Sequence, residues 1–172
     1  MAKKSGGSAL DFGAIEKKVK GAHADAVVSS DAESSAILVK ADAWSEVANT
    51  LATDKELKFD SLMCLSGYDN GVDSSLGVAY NLYSMTHRHK IEIRIEVPRD
   101  GGQIPSVANL WRTADWHERE AYDMYGMTFT GHPDHRRMLL PDDWVGYPLK
   151  KDYQTPELYL GMPVIKDKRG WE

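Results

Sequence analysis

The segment from position 89 to 97 alternates strictly between two kinds of side chain. Positions 91, 93, 95 and 97 hold isoleucine or valine, and positions 92, 94 and 96 hold charged residues. A period of two places successive side chains on opposite faces of a β-sheet. We therefore expect a strand with one face in a core and the other facing water or a partner.

Short apolar runs predict the other strands. These runs lie at 26–28, 36–39, 59–65 and 76–85. The first two flank turn residues and predict a hairpin, and the last is expected to pair with the strand at 89–97. The turn formers from 66 to 71 predict a loop after the third run.

Apolar residues spaced by three and four predict the helices. In the helix expected over 42–51, with Asp42 as its N-cap, the shared apolar face consists of Trp44, Val47, Ala48 and Leu51. A shorter helix is expected over 14–24. The longest is expected to be capped by Ser106 and stopped by Gly126.

Beyond Gly131 a proline recurs every seven or eight residues, which excludes long helices and central strands. Residues 131–172, here called the tail, are therefore expected to be extended. They include Trp144, Tyr147, Tyr153 and Trp171, too many large apolar groups for a simple linker. Such a tail needs a surface to lie on, and a partner chain is favoured over its own domain.

These patterns together predict an α+β fold in three parts. Residues 1–10 form a flexible start, residues 11–130 form the domain, and residues 131–172 form the extended, partner-binding tail. The domain is expected to be a two-layer sandwich, in which a mostly antiparallel or mixed sheet carries helices on one face. The length of 172 residues suits one such domain.

Composition excludes several classes of protein. The net charge of −5, with both signs interspersed, argues against nucleic acid as a partner. No apolar run of membrane-spanning length or signal-peptide type occurs, so we expect a cytosolic chain that meets a membrane only through another protein. The single cysteine, Cys64, cannot form an internal disulfide or hold an iron–sulfur cluster, and its apolar neighbours predict a buried, inert thiol.

The spacing of the candidate catalytic and metal-binding residues does not match that of known motifs. Ala121 stands where a zinc-protease helix starting at His117 needs its second histidine. The spacing of His87 and His89 favours a solvated pair on a strand over a metal site. For the loop residues His132 and His135, hydrogen bonds to backbone or carboxylate groups are favoured over metal binding. No glycine-rich phosphate loop, nucleophile elbow or cysteine–histidine signature is present.

A charge cluster on the longest predicted helix remains, consisting of Glu118, Arg119, Glu120 and Asp123. Arg119 and Asp123 lie one turn apart and are expected to pair. A solvated helix end is one interpretation. The other is a contact surface, because aromatic residues interleave with the charges and two adjacent arginines follow at 136 and 137, which can bind carboxylates of a neighbouring chain.

The stretch from 118 to 139 carries a specific pattern. It contains the runs Glu118-Arg119-Glu120, Asp123-Met124-Tyr125-Gly126, Gly131-His132-Pro133 and Arg136-Arg137 in that order. This stretch resembles the signature of the C-type (30 kDa-type) subunit of proton-pumping NADH:quinone oxidoreductase, respiratory complex I. The resemblance continues to Tyr153, whereas residues 1–60 match only loosely.

The resemblance implies a non-catalytic peripheral-arm subunit on the cytoplasmic side of the cell inner membrane. It implies that FMN, the iron–sulfur clusters and quinone are bound by other chains, and that this chain braces the D-type and B-type subunits. The residues expected at those contacts are Glu118, Arg119, Glu120, Asp123, His132, Arg136, Arg137, Trp144 and Tyr153. Reversing the charge of both arginines is expected to weaken association with the D-type subunit while leaving the isolated domain folded.

Two alternatives stay open at this point. The chain could be the equivalent subunit of a ferredoxin-fed complex I or a membrane-bound hydrogenase, because these relatives share the signature. It could also be a free-standing small enzyme that uses Glu118, Asp123 or His132 as acid–base groups, although no convergent cofactor motif supports that class.

Overall fold

The computed structural model describes residues 9–164. The α-helices are Phe12–Ala22 (α1), Trp44–Thr53 (α2) and Arg112–Tyr125 (α3). The strands are Val27–Asp31 (β1), Ala36–Val39 (β2), Ser61–Asp69 (β3), Leu76–Tyr83 (β4), Lys90–Val97 (β5), Gln103–Pro105 (β6), Thr128–Thr130 (β7), Leu158–Tyr159 (β8) and Met162–Pro163 (β9). Residues 1–8 of the predicted flexible start, and Trp171, lie outside the described residues.

Five strands form the main sheet in the order β1-β2-β5-β4-β3. All neighbours are antiparallel except β2 and β5, which run parallel, so the predicted mixed sheet is confirmed. The predicted hairpin is β1–β2, and the strand at 90–97 pairs with β4 from end to end as expected. Two short parallel strands, β6 and β7, form a second sheet beside the first.

One face of the main sheet builds the core with the helices. The four apolar positions of β5 are buried at 4% exposure or less, and the four predicted residues of α2 are fully buried with them. Burial of such side chains contributes about 25 cal/mol per Å² of apolar area. The charged side chains Glu92 and Arg94 lie on the opposite face and pair with each other, as the alternation predicts.

The predicted loop from 66 to 71 is wrong at its start. Strand β3 continues to Asp69 because residues 66–69 pair with residues 76–79 of β4. Pairing along a neighbouring strand outweighs the turn preference of these residues. The turn itself is displaced to 70–75, where Asn70 N donates to Ser75 O.

Both predicted N-caps are wrong, whereas the predicted helix stop is right. A 3-10 turn at Ala41–Ala43 precedes α2, so Ala43 occupies the cap position without a side-chain bond. The third helix begins only at Arg112, and Ser106 instead bonds a side chain of that helix. Gly126 ends α3 in the left-handed region, at φ +76°.

The histidines at 87 and 89 are not a solvated pair on a strand. They lie in the turn between β4 and β5, which packs against residues 55–57. His89 is buried, accepts from Leu10 N at its Nδ1 and donates to Leu57 O from its Nε2. His87 Nε2 bonds Lys55 O at 2.9 Å. Both imidazoles therefore tie the turn to the domain.

Candidate partner interface at the third helix

Asp123 anchors the start of the tail to α3. Its side chain is fully buried, and its Oδ2 accepts three consecutive backbone N–H groups, from Met138, Leu139 and Leu140, at 3.1, 2.7 and 2.9 Å. Its Oδ1 accepts from Arg137 Nη1 at 2.7 Å. Burial by itself would raise the pKa of Asp123, but the three amides and the guanidinium outweigh it and lower the pKa.

Arg137 links that carboxylate to the next part of the tail. Its Nη2 donates to Gly146 O at 3.1 Å, and its guanidinium lies 5.3 Å from the centre of the Tyr147 ring. The Tyr147 ring packs in turn against Gly126, where a Cβ atom would come within 2.5 Å of it. The side chain of Arg137 is therefore occupied within its own chain.

Arg119 does not pair with Asp123, contrary to expectation. Its Nη1 lies 3.2 Å from Asp134 Oδ2, and two of its other nitrogens donate to the carbonyl oxygens of Arg136 and Arg137, each at 3.2 Å. Arg119 and Asp123 of the helix therefore both bind the loop at residues 134–140. The reason is that Asp123 turns toward backbone amides that need an acceptor, whereas Arg119 turns toward carbonyls that need a donor.

Glu118 is a second fully buried carboxylate on α3. Its Oε2 accepts from Ser106 Oγ at 2.6 Å, and its Oε1 accepts from Val107 N at 2.8 Å. Burial raises the pKa of Glu118, and these two hydrogen bonds oppose the shift only in part. This carboxylate joins the loop before α3 to the helix.

The loop histidines bind backbone groups, as predicted. His132 accepts from Asp134 N at its Nδ1, and its Nε2 lies 3.0 Å from Asp115 O. His135 accepts from Phe129 N at its Nε2, and burial lowers its pKa. Both ring nitrogens of His132 therefore have backbone partners.

A second anchor, which the sequence did not reveal, lies at the end of β3. Asp69 accepts from Lys151 N at 2.8 Å through Oδ2 and from Arg99 Nη1 at 2.6 Å through Oδ1. The same arginine reaches Asp152, and the hydrogen bond from Arg99 is the main cause of the lowered pKa of Asp69. The turn composition around Asp69 carries no signal of this role, because its partner amide is 82 positions away.

The aromatic residues of the tail pack on one another. Trp144 Nε1 donates to Tyr153 Oη at 3.0 Å, and the Trp144 ring lies 5.0 Å from that of Tyr159. Leu149 N donates to Met124 O of α3 at 3.1 Å. Residues 132–153 thus lie against the chain's own domain.

The structure separates the nine predicted contact residues by exposure. Glu118, Arg119 and Asp123 are buried, so their bonds are made within the chain rather than on a solvated helix end. Only Glu120 and Arg136 are exposed. Arg137, Trp144 and Tyr153 are half-buried, and the side chain of His132 is fully buried. The structure argues against the expectation that the isolated domain tolerates reversal of both arginines, because the partner of Arg137 is a buried carboxylate.

Cys64 is half-exposed rather than buried, because a bulge in β3 after Leu62 shifts the register of the strand against β4. Cys64 lines a groove of about 240 Å³ between β3 and α3, together with His117 and Glu120 of the helix. Between residues 9 and 164, no group of three or more His, Cys, Asp or Glu side chains is arranged to hold a metal ion. None of the helices in that range has the length and apolar content to span a bilayer.

Exposed apolar side chains concentrate in the tail. Of the twelve large apolar residues that are exposed in the described part of the chain, six lie between 139 and 162. They are Leu139, Val145, Leu149, Leu158, Leu160 and Met162. The tail therefore binds its own domain through backbone amides and aromatic rings while it presents apolar groups outward.

Comparison with known proteins agrees with this architecture. The family model of the respiratory-chain NADH dehydrogenase 30 kDa subunit matches residues 37–158. The chain is 54% identical over 124 residues to the C-type subunit of the NADH-quinone oxidoreductase of Chloroherpeton thalassium, covering 72% of this chain and 51% of the relative. It is 49% identical over 124 residues to the C-type subunit from Chlorobium phaeobacteroides, covering 72% and 75%. The chain thus spans about half the length of the first relative.

Two solved structures share the fold. The trypsin-resistant fragment of Nqo5 superposes with a TM-score of 0.55 at 24% identity, over 70% of this chain and 98% of that one. A chain of the membrane-bound sulfane sulfur reductase, an archaeal respiratory membrane complex, superposes with a TM-score of 0.66 at 20% identity, over 84% and 86%. At these identities the likeness concerns the fold alone.

Proposed function

Because the chain belongs to the family of the respiratory-chain NADH dehydrogenase 30 kDa subunit, we propose that it is a peripheral-arm subunit of an NADH:quinone oxidoreductase. The complex would pass electrons from NADH through FMN and iron–sulfur clusters to quinone and couple this transfer to proton translocation. This chain has a structural role in the complex, and the cofactors are bound by its partners.

The observation that carries the proposal is the two-sided tail. Buried carboxylates of the domain, Asp123 and Asp69, hold backbone amides of the tail from the inside. Six of the twelve large apolar side chains that are exposed within residues 9–164 lie in this same segment. A segment held on one side and apolar on the other is suited to lie between its own domain and a partner chain.

The acid–base groups of the chain support a structural role over a free-standing enzyme. A general acid or base needs a reactive position within reach of a substrate proton. Hydrogen bonds to hydroxyl and backbone groups of the same chain instead occupy the side chains of Glu118, Asp123 and His132. Their buried bonds hold together the loop before α3, the helix and the tail.

The partners that we propose are the D-type and B-type subunits of the same complex. The tail and the exposed Arg136 would face the D-type subunit, and the chain would reach the cytoplasmic side of the membrane only through such partners. This assignment extends the names of the relatives to the assembly that those names describe.

Purification in mild detergent tests the proposal. A tagged chain should recover cluster-bearing and membrane subunits together with an NADH-oxidising flavoprotein. Replacing Leu158 and Leu160 with serine should reduce that recovery, because both side chains are exposed, at 63% and 74%, on the β8–β9 hairpin. The matched control is Met85→Ser, which alters an equally exposed side chain, at 68%, in the turn between β4 and β5.

The possible outcomes separate the candidate functions. Recovery without a flavoprotein would favour the equivalent subunit of a ferredoxin-fed complex or a hydrogenase. Recovery of the tagged chain without any partner would contradict the proposal and revive the free-standing enzyme. Equal recovery of partners by the Leu158 and Leu160 double variant and by the Met85→Ser control would show that the hairpin is not part of the interface.

A further inference from the structure

The imidazole of His135 closes the loop between β7 and the tail. Its Nε2 lies 3.0 Å from the backbone nitrogen of Phe129, six positions earlier, and accepts a hydrogen bond from that amide. The carbonyl oxygen of Phe129 accepts in turn from His132 N at 3.4 Å. Both backbone groups of one β7 residue are therefore bound by the loop that follows the strand.

The imidazole takes the place of a neighbouring strand. The sheet of β7 contains only β6 besides it, so one edge of β7 has no strand beside it among residues 9–164. The Phe129 N–H group faces that edge, because its acceptor belongs to the loop. Phe129 is 2% exposed, and a buried N–H group without an acceptor costs free energy. The fold of this junction therefore depends on an acceptor at His135.

The hydrogen bond requires a neutral imidazole with its proton on Nδ1. An imidazole nitrogen accepts only while it carries no proton, and a backbone N–H group can only donate. A second proton would convert Nε2 into a donor that faces the donor of Phe129. The hydrogen bond and the charged form of His135 therefore exclude each other.

Aromatic rings, rather than carboxylates, contact this imidazole. The half-buried ring of His135 lies 4.2 Å from the ring of Tyr122 on α3, 6.3 Å from that of Phe129 and 5.9 Å from that of His132, measured between centres. Burial is the main cause that lowers the pKa of His135, and the nearby His132 adds to the shift. These surroundings favour the neutral form.

The charged residues beside His135 in the sequence are already paired. Asp134 binds Arg119 and Arg136, and Arg137 binds a buried carboxylate. Within the described part of the chain, no carboxylate forms a hydrogen bond or an ion pair with His135. A charged imidazole would therefore lack a partner in the closed loop.

His132 has a similar contact in a different setting. Its Nδ1 accepts from Asp134 N at 3.0 Å. Its Nε2 lies 3.4 Å from a carboxylate oxygen of Asp115 and 3.8 Å from one of Glu118. Negative charge adjoins this imidazole, in contrast to that of His135, so the acid response is assigned to His135.

We propose that His135 is a pH-sensitive switch at the junction of domain and tail, whose neutral imidazole holds the loop at 129–135 closed and whose protonation releases the Phe129 amide. Asp123 still binds the amides of residues 138–140, so the opening is local. The loop leads into the segment for which we propose a partner, and acidification would change how that segment is presented. The switch belongs to the chain by itself and does not depend on the proposed function.

The direction of the response follows from the lowered pKa. The closed loop binds a proton less tightly than the open loop, in which His135 has its ordinary pKa of 6.5. The stability of the closed loop is therefore complete above 6.5 and is lost as the pH falls through the lowered pKa.

Amide hydrogen exchange of the full chain, followed by NMR at successive pH values, tests the switch. The protection of the Phe129 amide, corrected for the intrinsic pH dependence of exchange, should fall about tenfold per pH unit below the ordinary histidine pKa, because opening takes up one proton. His135→Gln places an amide oxygen near the position of Nε2 that accepts the same hydrogen bond and does not ionise. Its Phe129 protection should not change with pH in this window.

Two controls accompany this variant. His23→Gln alters another half-buried histidine that is bound through Nε2, to Thr50 Oγ1 at 2.8 Å, and should keep the wild-type response of the Phe129 amide. Thermal unfolding shows whether each variant is folded. The ¹⁵N NMR signals of the wild-type imidazole need no variant, and they should show the proton of His135 on Nδ1 at neutral pH.

Three results would overturn the switch. They are a proton on Nε2 of His135 at neutral pH, constant protection of the Phe129 amide in the wild-type chain, and an equal decline of that protection in His135→Gln. None of them bears on the proposed function, which the purification of partners tests separately.

Discussion

Asp123 accepts four hydrogen bonds from inside the fold, three of them from consecutive backbone amides. Those amides belong to a proline-rich segment that has no helix or sheet partner for them. A buried N–H group without an acceptor costs free energy, so one carboxylate satisfies a segment that secondary structure cannot. The ion pair with Arg137 neutralises the charge that this arrangement buries.

Replacing Asp123 with alanine should lower the free energy of unfolding by about 3–5 kcal/mol, because it leaves the half-buried Arg137 without its carboxylate. Urea unfolding of the purified chain measures the change. Asp142→Ala, at an exposed position of the tail, is the matched control and should stay within about 0.5 kcal/mol of wild type. Equal stability of the two variants would show that the carboxylate does not hold the tail.

Glu118 makes stability depend on pH in a defined direction. Its pKa is raised above the ordinary value of 4.5, so the folded chain binds a proton more tightly than the unfolded chain does. Its contribution is complete below 4.5 and is lost as the pH rises through the raised pKa. Glu118→Gln keeps an acceptor for Val107 N and cannot ionise. The stability of wild type relative to this variant should therefore fall across that window, as urea unfolding at successive pH values would measure.

If the difference in the free energy of unfolding between wild type and Glu118→Gln does not change with pH, this account of Glu118 is contradicted.

Asp123 affects the pH dependence of stability in the opposite direction, because its pKa is lowered from 3.8. Its stabilisation is complete above 3.8 and is lost as the pH falls through the lowered pKa. The two carboxylates therefore affect different parts of the pH range.

At the scale of elements, the junction between α3 and β7 depends on one glycine. Gly126 has a φ of +76°, and a Cβ atom there would lie 2.5 Å from the Tyr147 ring. The left-handed backbone costs about 1–2 kcal/mol for a residue with a side chain. The ring occupies the space that the missing side chain leaves, so the helix end and the tail fit together.

Gly126→Ala should destabilise the chain by at least about 1–2 kcal/mol and increase the exposure of Tyr147. Thermal unfolding and tyrosine fluorescence measure the two effects. Gly21→Ala is the contrasting variant, because Gly21 lies in α1 at a negative φ with no atom within 4 Å of the added carbon. It should be neutral or stabilising by up to about 1 kcal/mol.

At the scale of the whole molecule, the two adjacent arginines have separate roles. Arg137 is turned inward to Asp123, with 13% of its side chain exposed, whereas Arg136 is turned outward, with 71% exposed. Arg137 therefore stabilises the fold of the isolated chain, whereas Arg136 is accessible to a partner. Adjacent positions in an extended segment can point in opposite directions, which accounts for the division.

Single charge reversals should separate these roles. Arg137→Glu places a second carboxylate beside Asp123 and should destabilise the isolated chain by about 3–5 kcal/mol. Arg136→Glu should leave the free energy of unfolding within about 0.5 kcal/mol and weaken assembly only. Urea unfolding and recovery of the complex measure the two effects. Similar unfolding midpoints for both variants would contradict the division of roles.

The sequence by itself determined the layers of this protein. The alternation at 89–97 and the spacing of Trp44, Val47, Ala48 and Leu51 identify the buried faces, because the periods of strands and helices are local properties of the chain. Prolines likewise determined that the tail forms no long element. The signature from 118 to 139 indicated the family, because it is a run of neighbouring residues that can be read without the fold.

Only the tertiary structure decided which charges are buried and what they hold. Asp123 and Arg137 are 14 positions apart, and Asp69 and the Lys151 amide are 82 apart. The free energy of a buried carboxylate depends on every donor that the fold brings to it, and no local pattern contains that sum. For the same reason, composition predicted that the tail needs a surface, while the structure shows that residues 132–153 find one on their own domain.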